Sequence, residues 1–564
     1  MNARMLQFAM AATVVLVSFT VVTAQTAGLE PASNRATAGT TPPSSPETTE
    51  ICLYRFPQEP VFNPPAGNNV WEDEPNDSPA AAQFVAIQPG PGAGDVDVNG
   101  SIGHNADVDF YRITVSKGDI LGLTIWGLSE PDTVLAITDS AGDVIVLNDD
   151  HYGFSHYYPS GSPLPQPVVA EDSILNWVAP QDGNYLIRAS SDGVSAGQYT
   201  LLIRDRRAAL ETRPLPAIQL VYLDFDGETV NGQALFGGTA SASAVLSPLS
   251  TFLPAFGLAP GNENAVIDAI LQTVRQNFDD LRVADLNGDH PTDGIDGHYD
   301  VVFRNSRNHV DVFGLPDVSR VIIGGTQTQL GINVLGVAES VDPGNFRTDE
   351  TAVVLLDALS GGLIANIPRA PGVTMVDAVG RVVGNIVSHE LGHLLGNWHT
   401  EGTNVVASLM DVGGTVGKLY GGVGFDGVLG TADDTNPGFV SDIYRVIEAF
   451  DGDQRTDVRT AFALSTGPGC VGTAQCDDFN ICTYDVWIVD QCQFGPALYG
   501  DVTHDGGVDI FDVLCALDAF AQVPGACTAA DADIAMCARD CTVDVFDILA
   551  VLDAFGGVDP CCGR

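Results

Sequence analysis

The sequence predicts a multidomain protein: a β-sandwich, then an α/β domain, then a small disulfide-rich segment and a pair of EF-hand-like loop–helix units. Three observations carry this. Apolar and polar residues alternate between closely spaced turn residues over 51–205; strand and helix signals alternate over 210–450; and a 35-residue repeat lies near the C-terminus.

A chain of 564 residues suggests roughly three to four domains. Its 24 basic and 72 acidic residues give a formal charge of −48, which argues against nucleic acid and against an anionic membrane surface as partners. Apolar residues make up 45% of the chain, enough to bury real cores. The 61 glycines and 33 prolines favour turn-rich, β-rich architecture. The acidity fits an exported protein, and it also supplies oxygen ligands for calcium.

Arg4 precedes an apolar run from Met5 to Val22, and Val22-Thr23-Ala24 offers small residues for cleavage. Residues 1–24 therefore read as a secretory signal peptide, with an uncleaved anchor as the alternative. Residues 25–50, rich in Thr, Ser, Pro and Ala, read as a disordered linker. Of eleven cysteines, Cys52 stands apart and ten lie between Cys470 and Cys562. Export permits disulfides, so this cluster predicts stapled small modules, with one thiol left over.

Residues 51–207 form the first domain. Segments such as Asp109–Val115, Leu121–Trp126, Tyr185–Ala189 and Tyr199–Ile203 alternate with no helical run, which predicts an antiparallel sandwich. Glu74-Pro-Asn-Asp77, Asp107-Val-Asp-Phe-Tyr111 and Gly183-Asn-Tyr-Leu186 resemble the bacterial pre-peptidase C-terminal domain, a module that accompanies secreted peptidases. No cluster in this domain reads as catalytic.

Residues 210–452 form the second domain. Gln219–Phe225, Tyr299–Phe303, Arg320–Ile323 and Thr351–Leu356 are strand-like, and 263–281 has helical periodicity. A long helix follows from about Met375, with Thr374 and Asp377 as its capping pair and Val379, Val383, Ile386 and Val387 on one face. It ends in His389-Glu-Leu-Gly-His393-Leu-Leu-Gly-Asn-Trp-His399, which holds three of the ten histidines. Histidines four apart share a helix face, so His389 and His393 can reach one ion. Glu390 lies about 100° further round the helix. Gly396 can take the left-handed conformation that ends the helix and returns His399 as a third ligand. Three neutral imidazoles with an open fourth position make a catalytic zinc set, with Glu390 as general base. A pair of buried structural histidines, the alternative, would need neither Glu390 nor the glycine break.

This HExxHxxGxxH pattern is similar to that of the metzincin metallopeptidases, and Ser408-Leu-Met410-Asp411 resembles their methionine turn, with Met410 supporting the zinc site. The resemblance implies a zinc endopeptidase with a twisted, mixed five-stranded sheet beneath an active-site helix. It also implies a peptide substrate pairing antiparallel with an edge strand, for which Gly336–Ser340 is the candidate. Val412 stands where some members carry a ligating Tyr, so the clan is assigned and no subfamily. Two acidic loops, Asp285–Asp296 and Phe425–Asp434, read either as turns or as calcium sites. Cys52 offers a thiol for an inhibitory zinc ligand, like the cysteine switches of some relatives, but it lacks the sequence that surrounds those cysteines.

Residues 465–495 are the cysteine-rich segment, with Cys470, Cys476, Cys482 and Cys492. In 498–558, Val508–Phe520 recurs as Val543–Phe555 with nine of thirteen positions identical. The first copy places Asp501, Thr503, Asp505, Gly507, Asp509 and Asp512 at the ligand positions of an EF-hand-like loop, with Gly506 at the sharp turn, which predicts bound calcium. The second loop is degenerate, with Met536 and Ala538 at its first and third positions. The pair resembles a type I dockerin, which implies a cohesin-like or cell-surface partner. Ile510-Phe511 and Val545-Phe546 replace the polar pairs of familiar dockerins.

The expectation is a secreted zinc metalloendopeptidase acting on protein or peptide substrates, with one catalytic zinc and at least one calcium. The alternative is a secreted adhesion or scaffold protein whose peptidase domain is inactive and which works through its sandwich and calcium modules.

Overall fold

The computed structural model describes residues 52–558 except 55–66, 91–93, 105–106, 128–131, 151–157, 160, 166–171, 192, 194, 213–218, 284–297, 300, 413–415, 449, 467–482, 489–490, 497, 504–505, 522, 524–531, 536–542 and 544. The signal and linker segments, the Asp285–Asp296 loop, Cys470, Cys476, Cys482, Asp505 and Met536 lie outside the described residues.

The first domain is sandwich-like. Its strands are β2 (Asn68–Trp71), β3 (Gln83–Phe84), β4 (Val96–Ile102), β5 (Val108–Val115), β6 (Ile120–Gly127), β7 (Thr133–Thr138), β8 (Val144–Asn148), β9 (Ile174–Val178), β10 (Gly183–Ser191) and β11 (Gly197–Arg206), while β1 (Cys52–Tyr54) belongs elsewhere. One sheet runs β2-β4-β11-β6-β9 and the other contains β8-β7-β10-β5-β3. The expected antiparallel pairing holds except at two edges, where β2 pairs with β4 and β3 with β5 in parallel. Alternation explains the core: Tyr111, Ile113 and Val115 face inward, as do Leu121, Leu123 and Ile125.

The second domain carries a mixed six-stranded sheet. After β12 (Gln219–Asp224), β13 (Thr229–Val230), β14 (Ala244–Val245) and β15 (His298–Tyr299) come β16 (Val301–Asn305), β17 (Val318–Ile323), β18 (Gly336–Ala338) and β19 (Thr351–Val354). The order is β1-β18-β19-β17-β12-β16, and β18 runs antiparallel to β19. The candidate edge strand is therefore not an edge. β1 pairs along its outer side in parallel, with Cys52 opposite Gly336 and Tyr54 opposite Ala338.

Two helices, Glu263–Val283 and Met375–Leu394, share the main apolar core with this sheet. They approach closely because the second carries glycines at the contact. A Cβ on Gly380 would lie 2.3 Å from Ala269 Cβ, and one on Gly384 would lie 2.6 Å from Thr273 Cβ. Thr374 caps the second helix, its hydroxyl accepting the Asp377 amide while the Asp377 carboxylate accepts the Thr374 amide at 2.7 Å. Across the interface, Asn277 donates to Asn385 and Ser388, each at 2.9 Å.

The two domains are not separate beads. After β20 (Thr400–Glu401) and β21 (Asp411–Val412), strands β22 (Ser441–Ile443) and β23 (Phe450–Arg455) continue the sandwich sheet, with Phe450 opposite Asn148. Helix Thr456–Ala463 then seats Val458 and Phe462 among Ile120, Ile174 and Val178 of the sandwich. At the C-terminal end, helices Ile510–Phe520 and Val545–Phe555 pack Val513 and Ala516 against Val551 and Ala554.

Candidate metal centre

The helix Met375–Leu394 presents His389 and His393 one turn apart, and the chain leaves it through Gly396, whose φ of 92° is left-handed. A Cβ there would lie 2.4 Å from Pro343 Cα, so the turn is also sterically closed to other residues. His399 returns from this turn. The three imidazoles have ligand atoms within 4.8 Å of one another, and all three residues are buried.

Each ring is oriented by its other nitrogen. Nδ1 of His389 donates to the Leu409 carbonyl at 2.5 Å, and that of His393 to the Asn397 carbonyl at 2.7 Å. Nδ1 of His399 donates to the Glu448 carboxylate at 2.8 Å. These bonds leave Nε2 of each ring as the lone-pair nitrogen. The Nε2 atoms of His389 and His393 are 3.1 Å apart. Tetrahedral zinc with bonds of about 2.0–2.1 Å would hold such a pair about 3.3 Å apart, so the donor set fits. Burial holds the His389 pKa down to about 4 and pushes those of His393 and His399 well below the ordinary value, helped by the neighbouring imidazoles. The rings are therefore neutral, as metal ligands must be. The cluster can hold a metal ion.

Glu390 is buried, and its carboxylate lies against β18: a Cβ on Gly336 would fall 2.1 Å from Glu390 Oε1. Met410 is fully buried beneath the helix, where a Cβ on Gly392 would fall 2.4 Å from its sulfur. The β20–β21 pairing joins the Met410 turn to the arm that carries His399, with the Thr400 amide donating to the Met410 carbonyl at 2.9 Å. The structure thus brings His389, Glu390, His393, His399 and Met410 together.

Glu448 is the functional residue that sequence reasoning missed. So is Gln454, whose side chain accepts the Trp398 amide at 2.7 Å and donates to the Trp398 carbonyl at 2.8 Å. Nothing in local spacing marks either, because they meet the histidine arm only through the fold.

In the C-terminal module Asp501 and Asp512 are buried, and Gly506, at φ 93°, donates its amide to Asp501 Oδ2 at 2.9 Å. Asp512 Oδ1 accepts from both the Thr503 amide and hydroxyl at 2.9 Å, and Asp509 caps the helix by accepting the Phe511 amide. The structure brings Asp501, Thr503, Asp509 and Asp512 into one loop, with Gly507 following the turn. In the second copy Asp547 accepts the amides of Ile534 and Ala535. Ile510, Phe511, Val545 and Phe546 are exposed. Cys515 is disulfide-bonded.

Two acidic groups gather in the sandwich: Glu74, Asp77, Asp107 and Asp109, which lie in the segments that carry the pre-peptidase resemblance, and Asp132, Asp149 and Asp150. The Phe425–Asp434 loop closes on itself, Asp433 accepting the Phe425 and Asp426 amides.

No protein-family model and no curated protein matches the chain. Solved structures similar to part of it include the pre-peptidase C-terminal domain of a collagenase from Bacillus anthracis, 11% identical, covering 24% of this chain and 100% of that one, TM-score 0.17. Another is PliG, a periplasmic inhibitor of g-type lysozyme from Aeromonas hydrophila, 16% identical over 25% of this chain and 100% of that one, TM-score 0.16. A third is CorA, a surface-associated copper-binding protein of Methylomicrobium album, 8% identical over 22% of this chain and 97% of that one, TM-score 0.14. Among the described residues, no helix is long and apolar enough to cross a membrane.

Proposed function

We propose that the protein is a secreted zinc-dependent metalloendopeptidase of metzincin type. The observation that carries this reading is the buried trio His389, His393 and His399, each with Nδ1 tied off and Nε2 left to face a shared centre, with Glu390 following His389 on the helix. The HExxHxxGxxH spacing and the buried Met410 support it. A zinc ion held by the three histidines would supply Lewis acidity, lowering the pKa of a water to about 7 and polarising a peptide carbonyl.

Glu390 takes the proton from the attacking water and delivers it to the leaving amine nitrogen. The peptide pairs with the outer side of β18, where backbone groups give affinity and alternate side chains give selectivity. β1 occupies that side, so substrate and β1 exclude one another. Calcium in the loop of Asp501, Thr503, Asp505, Gly507, Asp509 and Asp512 orders the C-terminal module, which attaches the enzyme to a cohesin-like or cell-surface partner.

The test is cleavage of denatured casein with zinc content measured on the same sample. About one zinc per chain is expected, and Glu390→Gln should keep the zinc while losing roughly 10²–10⁴ in kcat. Zinc bound with no cleavage by the wild type, even after removal of residues 1–66, would favour the adhesion or scaffold reading.

A further inference from the structure

The third histidine is not held by its own domain alone. Arg459, on helix Thr456–Ala463, is 3% exposed. One of its terminal nitrogens donates to the Gly396 carbonyl at 2.8 Å and to Asn176 Oδ1 at 2.5 Å. The other donates to the Asn176 carbonyl and, at 2.9 Å, to the Tyr444 hydroxyl. Asn176 lies in β9 of the sandwich, 283 positions earlier, is 1% exposed, and is itself fixed by donating to the Tyr158 hydroxyl at 3.0 Å. All four of these acceptors are neutral oxygens. Burying a guanidinium is costly, and an apolar side chain would pack a domain interface more cheaply. The planar fork is suited to something else: fixing several acceptors in one geometry.

What it fixes is the turn between the second and third histidines. The next residue on the helix, Thr460, accepts from the Asn397 side chain at 2.8 Å, and the Asn397 carbonyl is the acceptor that orients His393. On the other side of the turn, Gln454 of β23 grips Trp398, and the Arg445 amide donates to the His399 carbonyl at 3.0 Å. β23 is itself a strand of the sandwich sheet.

We infer that Arg459 is a positioning residue through which the β-sandwich sets the geometry of the His399 arm, so the sandwich is a built-in part of the metal centre. This rests on the zinc reading proposed above and deepens it. Arg459 reaches the arm through the Gly396 carbonyl and bonds to none of the three histidines.

The experiment measures zinc affinity by chelator competition on the full chain, for wild type, Arg459→Met, Asn176→Leu and the double variant. Unfolding of each zinc-free protein is followed in parallel. Disturbed support of metal ligands costs about 10–100-fold in affinity, and that loss is expected for Arg459→Met. Asn176→Leu should show the same sign. The double variant should lose no more than the larger single loss, because both act through one contact. At saturating zinc, kcat should recover in every variant. Arg459→Lys should restore little of the zinc affinity lost in Arg459→Met, since a point charge cannot span the four acceptors.

If wild type binds zinc and both single variants bind it as tightly, the coupling is overturned while the peptidase reading stands. It is also overturned if affinity falls only in step with unfolding of the zinc-free protein. If wild type binds no zinc, both fall. Should Arg459→Met fail to fold, Asn176→Leu, which alters the sandwich side of the contact and leaves Arg459 in place, decides.

Discussion

His389 and His393 reach the candidate metal centre by a different route from His399, and the contrast says how such a site is built. The first two are set by a helix and tied to carbonyls at Leu409 and Asn397, within 20 residues of the rings they orient. His399 stands on an irregular arm, tied to a carboxylate 49 residues away and gripped by Gln454 and Arg459. A helix supplies its own geometry through backbone hydrogen bonds. An arm has to take its geometry from whatever packs around it, and here that includes Glu448 of its own domain and, through Arg459 and Asn176, the sandwich.

The largest effect expected on the helix side comes from a single methyl group. Gly336→Ala would put a Cβ where the Glu390 carboxylate lies, 2.1 Å from Oε1. Displacing a reacting group by about 1 Å can cost on the order of 10²-fold, and that is the expected loss in kcat. Zinc content should not change, because the atoms nearest the added methyl all belong to Glu390 and none to a histidine. Loss of zinc in this variant would show that Glu390 and the ligands are one unit. On the arm side, Glu448→Gln should act the other way round. It removes the charged acceptor of His399, and zinc affinity should fall about 10–100-fold, with kcat at saturating zinc little changed. Chelator competition and turnover on the same two proteins separate the two sides.

The same contrast explains what the sequence could reveal. His389, Glu390, His393 and the glycine break are legible because helical spacing turns sequence positions directly into directions in space. The sandwich is legible from alternation in segments such as Val108–Val115. Glu448, Gln454, Arg459 and Asn176 are not, because their partners lie tens to hundreds of positions away and no local period links them. β23, with sequence Phe-Asp-Gly-Asp-Gln-Arg, lacks the apolar alternation that would mark it as a strand of the sandwich sheet. β1 is three residues long, and its pairing with β18 comes from the tertiary fold. That pairing carries its own expected outcome: proteolytic removal of residues 1–66 should raise kcat/KM several-fold on peptides, measured against the intact chain.

A smaller effect should come from the floor beneath the helix pair. Gly392→Ala would press a methyl against the Met410 sulfur, 2.4 Å from the added carbon. Overpacking of this kind costs about 1–3 kcal/mol. Thermal unfolding of the zinc-free protein should show it, and Met410→Leu, which changes the shape there, should alter the penalty of Gly392→Ala. Full additivity of the two would mean that the sulfur and the helix do not press on one another.

The smallest effect distinguishes a buried site from an exposed one. An exposed histidine ligand has a pKa near 6.5 and must lose its proton to bind metal as the pH falls below that value. Here burial holds the folded pKa of His389 down to about 4, and those of His393 and His399 well below their ordinary value, with the Arg445 charge adding to the effect on His399 alone. The unfolded chain therefore binds more protons than the folded one between about 4 and 6.5, and through these groups the zinc-free protein gains stability as pH rises through that window. Zinc binding itself meets rings that are already neutral. Calorimetry at pH 6 in buffers of different ionisation enthalpy should find few protons released by the histidines, and the zinc affinity should change little between pH 7 and 5.5. Release of two or more protons would mean that the rings are hydrated and charged before zinc arrives. The arm would then be open to solvent in the zinc-free protein and would close only on the metal.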